Sequence, residues 1–167
     1  GWVQYMVFSP DGQKLYSAGR DLTIREWDVE TGENLRTFEG HTSRVRGIDI
    51  SPDGKQLISG SDDFTLKLWD IESGLPIKTL IGHDSFVFRA HFSPDGKYLA
   101  FIAARSGGES DEADDPKAES QVWILNRAGG EAQRATELAG GVSAFAWSPD
   151  STRLVLVSMD PAEESGK

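Results

Sequence analysis

His41 and Asp63 are the two residues that could do acid–base chemistry here: an imidazole base and a carboxylate to orient it. Against that reading stands their setting, because both lie in phrases that recur. Gly40-His41 returns as Gly82-His83 and Trp27-Asp28 as Trp69-Asp70, at one and the same interval. A pair repeated with a period beside a tryptophan reads as a brace of the fold. Carboxylates gather in a second place, residues 105–120, which hold six acidic and two basic side chains and nothing apolar larger than Ala. Several carboxylates could hold calcium, but the spacing does not fit an EF-hand loop and no Gly occupies its sharp-turn position. The stretch is expected to be a flexible, metal-free insertion. Asp49 could belong to a ring of acids around a central channel, as in a glycan-processing enzyme, but Val7 and His91 at the equivalent positions break the ring. The nucleophile elbow G-x-S-x-G is absent. The chain is therefore expected to be non-catalytic and to carry no cofactor and no metal.

A repeat must position these residues. Ser9-Pro10-Asp11-Gly12, Ser51-Pro52-Asp53-Gly54 and Ser93-Pro94-Asp95-Gly96 are evenly spaced along the chain, and Ser148-Pro149-Asp150-Ser151 is a fourth, imperfect copy. Trp27 and Trp69 stand at equal distances from the serine of their copy. The step from Ser9 to Ser51 to Ser93 has the length of a whole supersecondary unit, and such a period signals stacked units. In the second unit, 45–50 alternates and SPDG turns the chain, since Pro presets φ, Asp bonds its own backbone and Gly accepts positive φ. Residues 56–59 resume extended structure, 61–63 turn, 65–69 alternate with period two, 72–74 turn again and 76–80 form a fourth strand. No segment carries an apolar stripe of helical period, so the chain is all-β. Four-stranded sheets bury both faces by stacking around an axis, which is a β-propeller. The expectation is a partial β-propeller of about three and a half four-stranded antiparallel blades. They span about 2–39, 40–81 and 82–139, with a half blade in 140–167.

Residues 1–83, with GH and WD flanking the SPDG turn and the phrase SGSDDFTLKLWD between, resemble the WD-repeat family. The resemblance implies a buried hydrogen-bonded brace made by His41, Ser59, Asp63 and Trp69. The first repeat keeps Ser17, Asp21 and Trp27, and the period puts its histidine ahead of Gly1. The third keeps His83 and Trp123, with Phe101 where serine stood and an insertion before the tryptophan that the first two lack. It also implies that the GH and SDD loops share one ligand-facing end, which makes Arg20, Arg44, Asp62 and Phe86 the candidate partner contacts. Residues 84–167, where WD gives way to phrases such as VWILNRAGGE, resemble the N-terminal propeller of prolyl oligopeptidase family serine peptidases, the acylaminoacyl-peptidase-like branch. That second resemblance would put a catalytic Ser, Asp and His downstream of Lys167.

Composition narrows the partners. A net charge of -10 argues against nucleic acid, which requires clustered Lys and Arg. No apolar run approaches the length of a spanning helix, so no membrane insertion is expected. The absence of cysteine excludes disulfides and thiolate chemistry without choosing a compartment, the cytoplasm being slightly favoured over export. The expected function is a propeller scaffold binding a protein or peptide. Its open ends would meet further blades of the same longer chain or of another copy. The alternative is a peptidase propeller gating a hydrolase domain outside this chain.

Overall fold

The structure is a computed structural model that describes residues 2–83, 85–103 and 120–158. Every regular element among them is a strand. Strands β1 (Val3–Phe8), β2 (Lys14–Gly19), β3 (Ile24–Asp28) and β4 (Asn34–Phe38) pair in that order as one antiparallel sheet. The next sheet is β5 (Val45–Ile50), β6 (Gln56–Ser61), β7 (Leu66–Asp70) and β8 (Pro76–Leu80). The third is β9 (Arg89–Phe92), β10 (Tyr98–Ala103), β11 (Gln121–Asn126) and β12 (Gln133–Arg134), and β13 (Val142–Trp147) pairs with β14 (Leu154–Ser158). The first strands β1, β5 and β9 lie side by side in sequence order. The chain is a partial β-propeller. Its acidic stretch 105–119 and its tail 159–167 lie outside the described residues.

The SPDG phrase closes each blade's first hairpin by the same bonds. The Ser51 hydroxyl donates to Asp53 Oδ1 at 2.6 Å and accepts from Gln56 N at 2.9 Å, while Lys55 N donates to Asp53 Oδ1 at 3.1 Å. These bonds to Ser51 and Lys55, outweighing the slight burial, hold the Asp53 carboxyl below the usual carboxylate range. In the third turn the Ser93 bond and the Lys97 amide take Asp95 to about 2. Gly54 has φ +69 and faces the Pro10 ring of the preceding turn, as Gly96 faces Pro52. One tetrapeptide thus makes the turn and part of the contact between turns. Gly54→Ala should cost about 1–2 kcal/mol, because an L side chain in the left-handed region meets its own carbonyl. Urea denaturation of the variant measures this, and no loss would show that the turn relaxes freely.

Blades join face to face through apolar side chains. Tyr16, Ala18 and Phe38 of the first meet Ile48, Leu57 and Trp69 of the second. Ile58 and Leu66 of the second then meet Ala90, Leu99 and Phe101 of the third, whose Ala100, Ile102 and Val122 pack on Val142 and Phe145. The outermost faces have no such neighbour among the described residues. Met6 and Phe8, at the positions of Ile48 and Ile50, are 59% and 57% exposed against 1% and 7%, and Val155 and Val157 are exposed at the far side. Polar ties cross the seams as well. Buried Glu26 takes Lys14 at 2.5 Å and Arg36 at 3.4 Å, and Arg36 also donates to the Glu72 carbonyl of the next blade. Arg127 donates to Gln56 Oε1 and to the Gly96 carbonyl, and lies 4.9 Å over the Phe92 ring.

The register corrects the reading of the third blade. Leu57 pairs with Trp69 and Gln56 with Asp70, whereas Leu99 pairs with Leu125 and Tyr98 with Asn126. The counterpart of Trp69-Asp70 is therefore Leu125-Asn126, and Trp123 sits where Lys67 does, opposite Phe101. The insertion in this blade is thus longer than an alignment on Trp123 implies, by the step from Trp123 to Leu125. Asn126 keeps the aspartate's work. Its Oδ1 accepts from Ala128 N at 2.9 Å, as Asp70 Oδ1 accepts from Ser73 N at 2.7 Å.

Candidate functional site

Two loops and two strands of the second blade bring four polar side chains into one chain of bonds. Gly40, at φ +146, lies where a Cβ would come within 3.3 Å of the Trp69 ring, and so delivers His41 beside the indole. His41 Nδ1 stands 2.7 Å from Asp63 Oδ2 and Nε2 2.7 Å from the Ser59 hydroxyl, which accepts from Trp69 Nε1 at 2.7 Å. Asp63 also takes Thr42 N at 3.0 Å, Thr65 N at 3.0 Å and the Thr65 hydroxyl at 2.7 Å. Burial, outweighing the pull of Asp63, holds the His41 pKa below the usual histidine value, so the ring is neutral at neutral pH. Its Nδ1 then donates to Asp63, and Nε2 accepts the Ser59 proton. Burial works against the Asp63 charge, but the bonds from Thr65, His41 and Thr42 more than offset it and keep the carboxyl below its ordinary range.

The same connectivity, serine to histidine to aspartate, would activate a nucleophile in an open cleft. Here Ser59 has no exposed surface, His41 is 5% exposed, and the indole N–H occupies the serine oxygen. Ser59 Oγ is closed to a substrate carbonyl, and its bonds run to the His41 ring and the Trp69 indole. Asp49, the proposed channel acid, accepts the Phe92 amide at 2.9 Å and lies 3.5 Å from His91 Nδ1, tying two first strands together.

The other blades carry the pattern in part. In the first, Trp27 Nε1 donates to Ser17 at 2.8 Å, and Asp21 turns to Arg25 at 3.0 Å. In the third, His83 is buried with its ring edge-on to Phe101, centroids 5.2 Å apart. Trp123 Nε1 donates to the Ala103 carbonyl at 3.2 Å instead of to a serine. Phe101 fills the serine position, so ring packing against His83 replaces the serine bond there.

At the end that carries the GH and SDD loops, charged and aromatic side chains form one surface cluster. Arg46 donates to Asp62 at 2.6 Å, and Arg44 lies 3.8 Å from the same carboxylate. The Arg46 guanidinium lies 5.6 Å from the Phe86 ring centroid and 5.7 Å from that of Phe88. Phe64 meets Phe86 at 5.5 Å and Phe86 meets Phe88 at 6.1 Å, with all three rings 37–43% exposed. Arg44, Asp62 and Phe86 of the expected contacts come together here, while Arg20 lies over the Trp2 ring of the first blade at 4.9 Å. Sequence reasoning missed Arg46, Phe64 and Phe88. Two signals were available. The alternation Phe86-Val87-Phe88 around a buried valine sends both rings outward, and Phe64 follows the SDD turn at φ +64, where no core strand can hold it.

Comparison with known proteins agrees with this geometry. A profile of the family described as "WD domain, G-beta repeat" matches residues 1–28, 32–70 and 74–109. The chain is similar to "Nuclear distribution protein PAC1" of Candida albicans, 46% identical over 49 residues, which is 29% of this chain and 10% of that protein. "Probable E3 ubiquitin ligase complex SCF subunit sconB" of Arthroderma otae is 43% identical over 47 residues, 28% of this chain and 7% of that protein. "Nuclear distribution protein nudF" of Aspergillus flavus is 43% identical over 47 residues, 28% of this chain and 10% of that protein. Each match thus spans a tenth or less of the relative's length. The third repeat match runs past residue 83, and the peptidase resemblance of residues 84–167 finds no support.

Proposed function

Because this chain belongs to the WD domain, G-beta repeat family, we propose that it is a non-catalytic scaffold whose GH and SDD loop end binds a protein or peptide. The observation that carries the reading is the cluster of Phe64, Phe86 and Phe88 around Arg46. Three large rings held half out of a chain of net charge -10 are an unusual exposure of apolar surface, and aromatic and Arg side chains dominate the energetics of protein contacts. The rings offer an apolar platform, and Arg44, half exposed and loosely held by Asp62, offers a cation for a carboxylate. The names of two relatives, a subunit of a ubiquitin ligase complex and a nuclear distribution protein, fit proteins that work by assembly.

Peptides selected against the chain from a random library test the reading. Phe86→Ala should weaken the selected peptides by about 30-fold, a loss near 2 kcal/mol. Leu75→Ala, an exposed apolar truncation in the β7–β8 turn at the opposite end of the second blade, should leave them unchanged. Equal effects of the two, or none from Phe86, would sink the assignment.

A further inference from the structure

The seam between the second and third blades lacks what fills the seam between the first and second. In that first seam Phe38 and Trp69 meet edge to face, centroids 6.0 Å apart, and buried Glu26 takes Arg36 at 3.4 Å. The ladder registers give the counterparts one blade on: Leu80 for Phe38, Leu125 for Trp69, Lys78 for Arg36 and Leu68 for Glu26. Two leucines thus replace two rings, and an alkyl chain replaces the carboxylate. Nothing takes up the volume. Cavities of about 440 and 200 Å³ open there, and both are lined by Lys78, Leu80, Leu125 and Gly130, so they form one groove. A Cβ on Gly82, in the larger cavity, would meet nothing within 4 Å, whereas one on Gly40 would meet the Trp69 ring at 3.3 Å. Trp123 lines neither cavity. The charge is unbalanced too. Lys78 makes no ion pair among the described residues, in a chain of 27 acidic and 17 basic side chains, and Glu131 lines the larger cavity without pairing with it.

We infer that this groove docks an extended segment of a partner protein that carries an aromatic and an acidic residue two positions apart. The ring fills the space beside Leu80, Phe101 and Leu125, and the carboxylate meets Lys78. The interval follows from the strand. Lys78 and Leu80 share one face of β8, and the same period of two keeps the partner's side chains in step with them. An extended segment is the fitting occupant because the groove follows a free edge. β8 ends its sheet with Ile77 and Ile81 exposed, and β12, the matching strand of the next blade, has two residues against five. Such an edge offers unpaired N–H and C=O groups to an added strand. The larger cavity falls within the about 300–1,000 Å³ of ordinary ligand pockets. Phe64, Phe86 and Phe88 line neither cavity, so the groove is distinct from the loop-end cluster.

Methyl-labelled leucines in the full chain read the site. A capped Thr-Glu-Val-Trp-Thr peptide, or Thr-Trp-Val-Glu-Thr for the opposite strand direction, should shift the Leu80 and Leu125 methyls saturably. One anchored ring gives a dissociation constant on the order of 0.1–1 mM. The Leu57 methyls, packed in the first seam, should stay in place. Alanine for the peptide's tryptophan should weaken binding at least about tenfold, and glutamine for its glutamate about three- to fivefold. Lys78→Met, at an exposed position, should make the glutamate and glutamine peptides bind equally. Phe86→Ala should leave binding unchanged. Leu125→Trp should close the groove, and should that variant fail to fold, Lys78→Met and the altered peptides still decide. Absence of saturation, parallel movement of Leu57, equal binding of the alanine peptide, or a glutamate preference that survives Lys78→Met would each overturn the site. A loss with Phe86→Ala would place the peptide at the loop end instead. Tighter binding of free indole-3-propionate than of either peptide would make the occupant a small aromatic acid and overturn the docked segment.

Discussion

Trp69→Ala should lower the unfolding free energy by about 3–5 kcal/mol, the range for truncating a fully buried aromatic side chain. The indole has no exposed surface and sits where two blades meet. Its ring centroid lies 6.0 Å from that of Phe38 of the first blade, edge to face, and 5.9 Å from that of His41 of its own. Truncation would open a cavity on the seam and remove the donor to Ser59 in one step. Trp69→Phe separates the two losses, since it keeps most of the ring and deletes the N–H. It should cost about 1–3 kcal/mol, set by the unsatisfied serine oxygen. Trp27→Ala is the internal comparison. Trp27 makes the same bond to Ser17 but is only half buried, so its truncation should cost clearly less. Urea denaturation of the three variants measures all of this. An equal cost for Trp27 and Trp69 would show that the indole contributes through its hydrogen bond alone, and not through the seam.

That contrast bears on how much of the molecule could be read from its residues. The all-β class and the stacked-blade architecture were legible because each rests on short-range chemistry repeated with a period. SPDG can make only a tight turn, and a run such as TLKLW can make only a two-faced strand. What failed to show was register across an insertion. Trp123 has the right residue type in nearly the right place, yet the ladder sets Leu125 opposite Leu99. A strand slipped by two keeps every side chain on its face, so alternation alone cannot tell the two registers apart. Polar chemistry within a blade was hidden for a related reason. Glu26, a charged residue in a regular strand, reads as solvent-facing, but Lys14, Arg36 and Tyr16 converge on it from neighbouring strands and let it be buried. The surface cluster was half visible, because alternation predicts which way a ring points but not which other rings it meets.

Stability should fall as the pH is lowered from about 6.5, the ordinary histidine value, and His41 should be responsible for part of that fall. Burial keeps its folded pKa below that value. Below about 6.5 the unfolded chain takes up a proton that the folded brace refuses, so the native state loses ground until the folded pKa is passed. Asp63 acts in a second, lower window. Its folded carboxyl lies below the usual range, so its contribution is intact above about pH 4 and disappears as the pH falls through the folded value. His41→Gln should be less stable than the wild type near pH 8, and the gap between them should narrow on acidification, because the variant has no proton to refuse. A gap that widened instead would mean that folded His41 is charged and the contact with Asp63 is an ion pair. Asp63→Asn supplies the complementary measurement. Its amide keeps one oxygen and puts an NH2 in place of the other, so a donor is turned toward either His41 Nδ1–H or the Thr65 hydroxyl, each of which needs an acceptor. The expected loss is about 2–3 kcal/mol at pH 7, the cost of removing an ionised acceptor from a buried network. In His41→Ala it should shrink, since one of the two donors is then gone, and a double-mutant cycle reads that coupling directly.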